Sequence, residues 1–252
     1  MGEDWEVCDM RYELYYTASN QGRGEFVRLA LEEAGADYVD VARLSGPGQG
    51  AEAVTRFIQD PGVEHPPFAQ PILKAGKLVI AQTANILLYL GPRLGLAPRA
   101  EAGRLWAHQL QLTVADLLKE IQDTHHPVAH GLYYEEQKPE ALNYTRHFLA
   151  ERLLKFLGYF ERVLGGAKGR GFMVGRSLSY VDLSMFQLVE GLRFSFPRTM
   201  QRVEPCYPGL VGLHDKIAAR PNIAAYLKSA RRIPFNDRGI FRHYPELESQ
   251  EQ

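Results

Sequence analysis

The sequence predicts a small α/β domain followed by a larger all-helical one. Three observations carry that expectation. Short strand-like and helix-like runs alternate over the first ninety residues, a Pro- and Ala-containing stretch follows, and no strand pattern recurs beyond it. Residues 12–17 (YELYYT) read as an aromatic strand, and residues 25–34 (EFVRLALEEA) as an amphipathic helix stopped by Gly35. Residues 38–41 give a second strand, and residues 51–58 a short helix after the glycine-rich loop 46–50. The proline-rich EHPPFAQP then leads into QPILKAGKLVIAQTANILLYLG, a strand, a turn at Ala75 and Gly76, a second strand and a helix. In that helix Gly91 is placed as a left-handed cap and Pro92 as the stop. The expected order is β-α-β-α-β-β-α.

Domain limits follow from these patterns: a leader over 1–10, an α/β domain over 11–92, a linker over 93–99 and a helical domain over 100–245. Within the helical part, residues 101–123 and 139–164 form long amphipathic segments. The stretch Ser179-Tyr-Val-Asp182 ahead of LSMFQLVEGL has the form of a capping box, which sets a helix start.

The chain has 252 residues, of which 45% are hydrophobic and 23% charged, and a formal net charge of −1. That balance suits a globular protein and supplies no broad positive field for nucleic acid, so no nucleic-acid partner is expected. Two cysteines, Cys8 and Cys206, stand far apart without metal-ligand spacing, which fits a reducing compartment. The opening MGEDWEVCDM is acidic, with neither the basic start nor the apolar run of a signal peptide, and no apolar stretch approaches the ~20 residues of a membrane span. The expectation is a cytoplasmic protein with no membrane partner. His125, His126 and His130 cluster, but no acid or thiolate completes a recognised spacing and Pro127 interrupts them, so no metal is expected. They fall in a helix-end loop with Tyr133 and Tyr134. These tyrosines and Trp106 are candidate liners of a small-molecule pocket, bundle packing being the commoner role of such aromatics.

Four segments in order, YELYYTASNQGRGEFVRLALEEAG, QPIL with AQTANILLYLG, SYVDLSMFQL and YPGLVGLHDKIAARPNIAAYLKS, resemble the cytosolic glutathione transferases over nearly the whole chain. The strand ending in tyrosine and the GRGE after it look closest to the tyrosine-type classes such as alpha, pi and sigma. The resemblance implies a thioredoxin-like N-terminal domain, glutathione as co-substrate without a metal, a hydrophobic electrophilic small molecule as second substrate, and a homodimer.

It also implies site residues. Tyr16 is the candidate thiol donor. The loop to Gly22 is one residue longer than in the tyrosine classes and must bulge, so Ser19 and Asn20 stand as alternative donors. Tyr15 faces the opposite side of a regular pleat. Gln70, Pro71 and Ile72 would bind the cysteinyl backbone, with Pro71 cis. Gln82 and Thr83 would take the γ-glutamyl carboxylate at a helix N-terminus. Arg23 would pair with an acidic group or with glutathione, and Asp116 would reach the γ-glutamyl amine across a dimer interface. Arg43 and Lys74 are both basic candidates for the glycyl carboxylate.

The chemistry asked of these residues is thiol activation. An ordinary cysteine thiol has a pKa near 8.5, and lowering it by ~2 units takes about 2.7 kcal/mol of preferential anion stabilisation. One charge-assisted hydrogen bond supplies ~1.5 to 3 kcal/mol, so a phenol beside a helix N-terminus suffices. The same thiolate would serve a glutathione-dependent isomerase or peroxidase, and the fold alone would serve a non-catalytic ligand- or partner-binding protein. A disulfide oxidoreductase is disfavoured because no cysteine stands at the end of the first strand or the start of the first helix.

Overall fold

A computed structural model describes residues 11–166 and 171–249, so the leader 1–10 lies outside the described residues. The N-terminal part contains β1 (Tyr12–Tyr15), α1 (Gly24–Glu33), β2 (Tyr38–Asp40), α2 (Ala51–Gln59), β3 (Ile72–Ala75), β4 (Leu78–Ala81) and α3 (Thr83–Arg93). The strands form one mixed sheet in the order β2-β1-β3-β4, with β1 parallel to β2 and the other pairs antiparallel. This is the small four-stranded sheet expected from the sequence.

Alternation along β1 sorts its side chains between two layers. Tyr12, Leu14 and Tyr16 pack with Val27 and Leu31 of α1 and with Ile86 and Leu90 of α3. Tyr15 points the other way, onto Phe57 of α2 at 4.8 Å between ring centres. Its hydroxyl donates to Glu13 at 2.7 Å. The residue after β1 is therefore delivered to the α1 side of the sheet.

The remaining described residues form α4 (Glu101–Asp123), α5 (Lys138–His147), α6 (Leu153–Gly166), α7 (Tyr180–Ser195), α8 (Pro197–Val203), α9 (Pro208–Ala218) and α10 (Pro221–Leu227). No strand follows β4 among the described residues. The segment 139–164, expected to be one helix, is α5 and α6 joined by a π-helical turn at Phe148–Arg152. The capping box is formed: Asp182, fully buried, accepts the Ser179 amide at 2.7 Å and also the Met173 amide at 2.7 Å.

One local expectation fails. Gly91 does not cap α3 and Pro92 does not stop it; both lie inside the helix, which ends at Arg93 with Gly95 in the left-handed region at φ +69°. The missing Pro92 amide removes a single ladder bond. The helix continues through Leu94 N–H to the Leu90 carbonyl at 2.9 Å, and Leu96 N–H closes on the Gly91 carbonyl at 2.7 Å. Glycine at 91 serves packing instead, since a Cβ there would sit 2.7 Å from the Tyr180 ring.

After α10 the chain runs back to the sheet as an irregular tail. Gln21 Nε2 donates to the Ile233 carbonyl at 2.6 Å, and Asn236 Nδ2 donates to the Ser19 carbonyl at 2.8 Å. Ile240 and Phe241 then sink into the helical core.

Candidate functional site

The Tyr16 ring lies across the start of α1. The Arg23 backbone N–H donates to its hydroxyl at 2.9 Å. The ring is 7% exposed and packs so closely on the turn that a Cβ at Gly22 would stand 2.0 Å from the hydroxyl, and one at Gly24 2.5 Å from the ring. Gly22 also adopts φ +44°, which an L side chain resists. Two glycines thus let a phenol rest on a helix N-terminus. Burial pushes the Tyr16 phenol above its ordinary value, although the Arg23 amide and the Arg28 and Arg23 charges pull the other way. The hydroxyl therefore stays protonated at neutral pH, accepts one amide hydrogen, and has its own proton to donate.

The longer loop is absorbed without displacing that hydroxyl from α1. Ser19 is exposed, its Oγ 3.4 Å from Thr17 Oγ1, and its carbonyl holds the tail. Asn20 turns its amide to the Arg238 carbonyl at 3.4 Å, while its Oδ1 lies 2.9 Å from where a Gly22 Cβ would be. Asn20 and the Tyr16 hydroxyl both border the space over Gly22, and Ser19 does not.

The start of α3 meets the start of α1. The Thr83 hydroxyl donates to the Arg23 carbonyl at 3.2 Å. The first helical bond of α3 runs from Ile86 N–H to the Gln82 carbonyl at 2.9 Å, so the amides of Thr83, Ala84 and Asn85 have no intrahelical acceptor. Gln82 is exposed at φ +70°, the one non-glycine residue in the left-handed region among the described residues. A side chain held there costs on the order of 1 kcal/mol or more, and such residues concentrate at functional sites. Arg23 is half-buried, and its guanidinium has no acceptor among the described residues; burial lowers its pKa and the neighbouring Tyr16 raises it.

The Gln70–Pro71 peptide bond is cis, and Pro71 and Ile72 are buried at the start of β3. Gln70 Oε1 is buried without a partner. The two basic residues considered for a glycyl carboxylate are both engaged. Arg43 donates to the Ala230 carbonyl at 2.8 Å and to the Arg231 carbonyl, and Lys74 pairs with Glu13 at 2.7 Å. Asp116 is exposed on α4 and is not brought near Tyr16 by any contact within the chain.

Beneath the site lies a buried polar frame that the sequence did not reveal. Arg28 and Glu25, both fully buried, pair at 3.2 Å, and Arg28 Nε donates to Asp40 at 2.7 Å. Glu25 also accepts from Tyr226 at 2.7 Å and from Arg232. Gln187 Nε2 donates to Gln21 at 2.6 Å. Removing one member would strand a buried charge, so the frame fixes the loop, α1 and the tail together. Tyr226, Arg232 and Gln187 stand far along the chain from the residues they hold, and in α1 only the regular apolar spacing was legible.

Alongside the loop opens a cleft of about 460 Å³ between the α4–α5 connection and the tail. Tyr133 and Tyr134 line it with His126, His130, Arg238 and Arg242, whereas Trp106 packs against the helical core instead. His125 lies behind the cleft, its Nε2 donating to the Ile240 carbonyl at 2.8 Å. Burial pushes that imidazole down to about 3. Among the described residues no three His, Cys, Asp or Glu side chains are grouped to hold a metal ion.

Residues 122–230 match the family model "Glutathione S-transferase, C-terminal domain". By sequence and by fold this chain is similar to the glutathione S-transferases. The chain is 26% identical to the glutathione S-transferase of Plasmodium falciparum over 86% of its own length and 95% of the relative's. To glutathione S-transferase P 1 of Xenopus laevis the identity is 25%, over 84% of this chain and 90% of the relative. In structure, the pi-class glutathione S-transferase of Onchocerca volvulus superimposes with a TM-score of 0.68 at 20% identity, over 89% of this chain and 97% of that one.

Proposed function

We propose that this protein is a glutathione transferase in which Tyr16 donates its phenolic proton to the sulfur of bound glutathione. The observation that carries the reading is the convergence of the Tyr16 hydroxyl with the N-termini of α1 and α3, through the Arg23 amide at 2.9 Å and the Thr83 hydroxyl at 3.2 Å. A protonated donor, the free amides at the start of α3 and the unpaired Arg23 guanidinium favour an anion there, and glutathione brings a thiolate and carboxylates. Gln82 and the Thr83 amide take the γ-glutamyl carboxylate. Because the Thr83 hydroxyl proton is given to Arg23, the amide rather than the hydroxyl is the donor at that position. Gln70, Pro71 and Ile72 present the strand-like edge for the cysteinyl backbone, and Arg23 supplies a free cation. The thiolate then attacks an electrophile held in the neighbouring cleft, with the rate gain coming from a lowered thiol pKa and from proximity. Such conjugation fits a detoxifying role in the cytoplasm.

A second copy of the chain is the proposed partner. Phe68 is 93% exposed on the loop before β3, and Leu105 and Leu112, 63% and 47% exposed, lie on one face of α4 with Asp116 further along it. Docking that face would cover the apolar side chains and bring Asp116 to the partner's glutathione. Light scattering on wild type and Phe68→Ser tests this, a monomeric wild type removing the role given to Asp116.

The test of the enzyme reading is ultraviolet titration of glutathione bound to the full chain. A thiolate forming about 2 pH units below free glutathione is expected. A bound thiol with an unshifted pKa would sink the transferase assignment and leave only binding.

A further inference from the structure

The cleft beside the thiol site is built for a charge. Arg242, half-buried on its floor, donates Nε to the Gly239 carbonyl at 2.9 Å, and its two terminal nitrogens have neither a hydrogen-bond acceptor nor an ion-pair partner among the described residues. Arg238, at the rim, likewise has no side-chain partner. Two carboxylates, Asp237 and Glu135, also reach the cleft, but both are exposed and neither pairs with either arginine. The floor therefore presents a guanidinium whose terminal nitrogens are unpaired. Burial first and then the Arg242 charge hold the His126 imidazole below its ordinary value, with His130 adding to the effect. Three tyrosines also line the cleft: Tyr134 and Tyr244 stack on each other at 3.8 Å between centroids, and Tyr133 is 77% exposed.

The cleft is linked to the neighbourhood of the Tyr16 hydroxyl through the loop. Arg238 accepts from Asn20 through its carbonyl, and Asn20 Oδ1 borders the same space over Gly22 as the Tyr16 hydroxyl. A molecule with one end over Gly22 and the other on Arg242 thus spans the reactive and charged ends of one surface.

We infer that the second substrate is a planar electrophile carrying a carboxylate or similar anion, with Arg242 and Arg238 binding the charge and the tyrosines supporting the ring. This deepens the transferase reading and rests on it. A neutral hydrophobic electrophile would leave the Arg242 terminal nitrogens without an acceptor in the cleft, whereas an anion satisfies them. Reaction of a chlorinated aromatic anion then follows as a substitution: the thiolate sulfur bonds to the chlorine-bearing carbon, chloride leaves with the bonding pair, and the former thiol proton passes to solvent.

The experiment compares 4-chloro-3,5-dinitrobenzoate with its neutral amide, 4-chloro-3,5-dinitrobenzamide, as substrates of the full chain. The ratio of their kcat/KM values, each corrected for the uncatalysed rate, is expected to favour the anion about tenfold in wild type and to fall to about one in Arg242→Gln, with Arg242→Lys between them. A second arm needs no turnover. Calorimetric binding of the unreactive pair 3,5-dinitrobenzoate and 3,5-dinitrobenzamide, with saturating S-methylglutathione to fill the glutathione carboxylate sites, is expected to show the same preference and the same loss in Arg242→Gln. Equal handling of anion and amide by wild type, or a preference that survives in both Arg242→Gln and Arg238→Gln, overturns the inference. Absent conjugation with an intact, Arg242-dependent binding preference would refute the transferase reading while upholding the anion site.

Discussion

Replacing Tyr16 by phenylalanine removes one hydroxyl and keeps the ring that fills the space over Gly22 and Gly24. The ring contacts of the inner sheet layer survive, so the fold is retained. The Arg23 amide loses its 2.9 Å acceptor, but it lies at a helix start where water can replace the phenol, and the stability cost is about 1 kcal/mol. The functional cost is larger. A phenol donating to a thiolate makes a charge-assisted bond of ~1.5 to 3 kcal/mol, and each 1.36 kcal/mol is one pKa unit, so the bound thiol should rise by about 1 to 2 units. For a bound thiol that titrates near pH 6.5 in wild type, the thiolate fraction at that pH drops from about half to between ~1 and 10%, and kcat/KM falls roughly 5- to 50-fold. Absorbance of the bound thiolate against pH reads the shift directly, and thermal melting reads the small stability loss separately. Ser19→Ala, exposed and outside the convergence, should leave the titration where it was. An unchanged thiol pKa in Tyr16→Phe, or a raised one in Ser19→Ala, would refute the assignment of the donor.

Gly22→Ala places a methyl 2.0 Å from the Tyr16 hydroxyl at a left-handed φ, so it should cost ~1 to 3 kcal/mol and raise the bound thiol pKa toward the Tyr16→Phe value; a wild-type titration would show that the hydroxyl's position is immaterial. Asp182→Ala leaves the Ser179 and Met173 amides without their acceptor, and a loss of about 2 to 4 kcal/mol in urea unfolding is expected with little effect on glutathione affinity. His125 gives a pH signature. Burial depresses its folded pKa to about 3 from the ordinary 6.5, so the stability it contributes is present above pH 6.5 and is lost as pH falls toward 3. Between pH 6.5 and 5 the loss is about 2 kcal/mol, and His125→Asn should flatten that slope in unfolding measurements.

What could be read from the sequence was whatever repeats locally. The period of two along YELYY separated Tyr15 from Tyr16, and the three-residue spacing of Ser179 and Asp182 marked the start of α7, because both patterns belong to one element. Gly91 was misread for the complementary reason: beside Pro92 it has the local form of a helix end, but its lack of a side chain answers to the Tyr180 ring, eighty-nine residues away. The same distance hid the partners of Arg43, which lie at Ala230 and Arg231. The tail beyond α10 carries no periodicity at all, so its return to the loop after β1 left no trace in the pattern.

That tail changes how specificity is to be understood. Glu25 and Gln187 hold Arg232, Gln21 holds Ile233, and Asn236 holds Ser19, so the segment bearing Arg238 and Arg242 is anchored to the same loop and helix that place Tyr16. The donor and the cleft consequently share one rigid support. A substitution in the anchor, such as Arg232→Met, would remove one partner from each of the buried Glu25 and Gln187 side chains and shift both at once, whereas substitutions at Arg242 alter the cleft alone. Thiol activation and electrophile choice are therefore separable at the cleft wall and inseparable at its foundation.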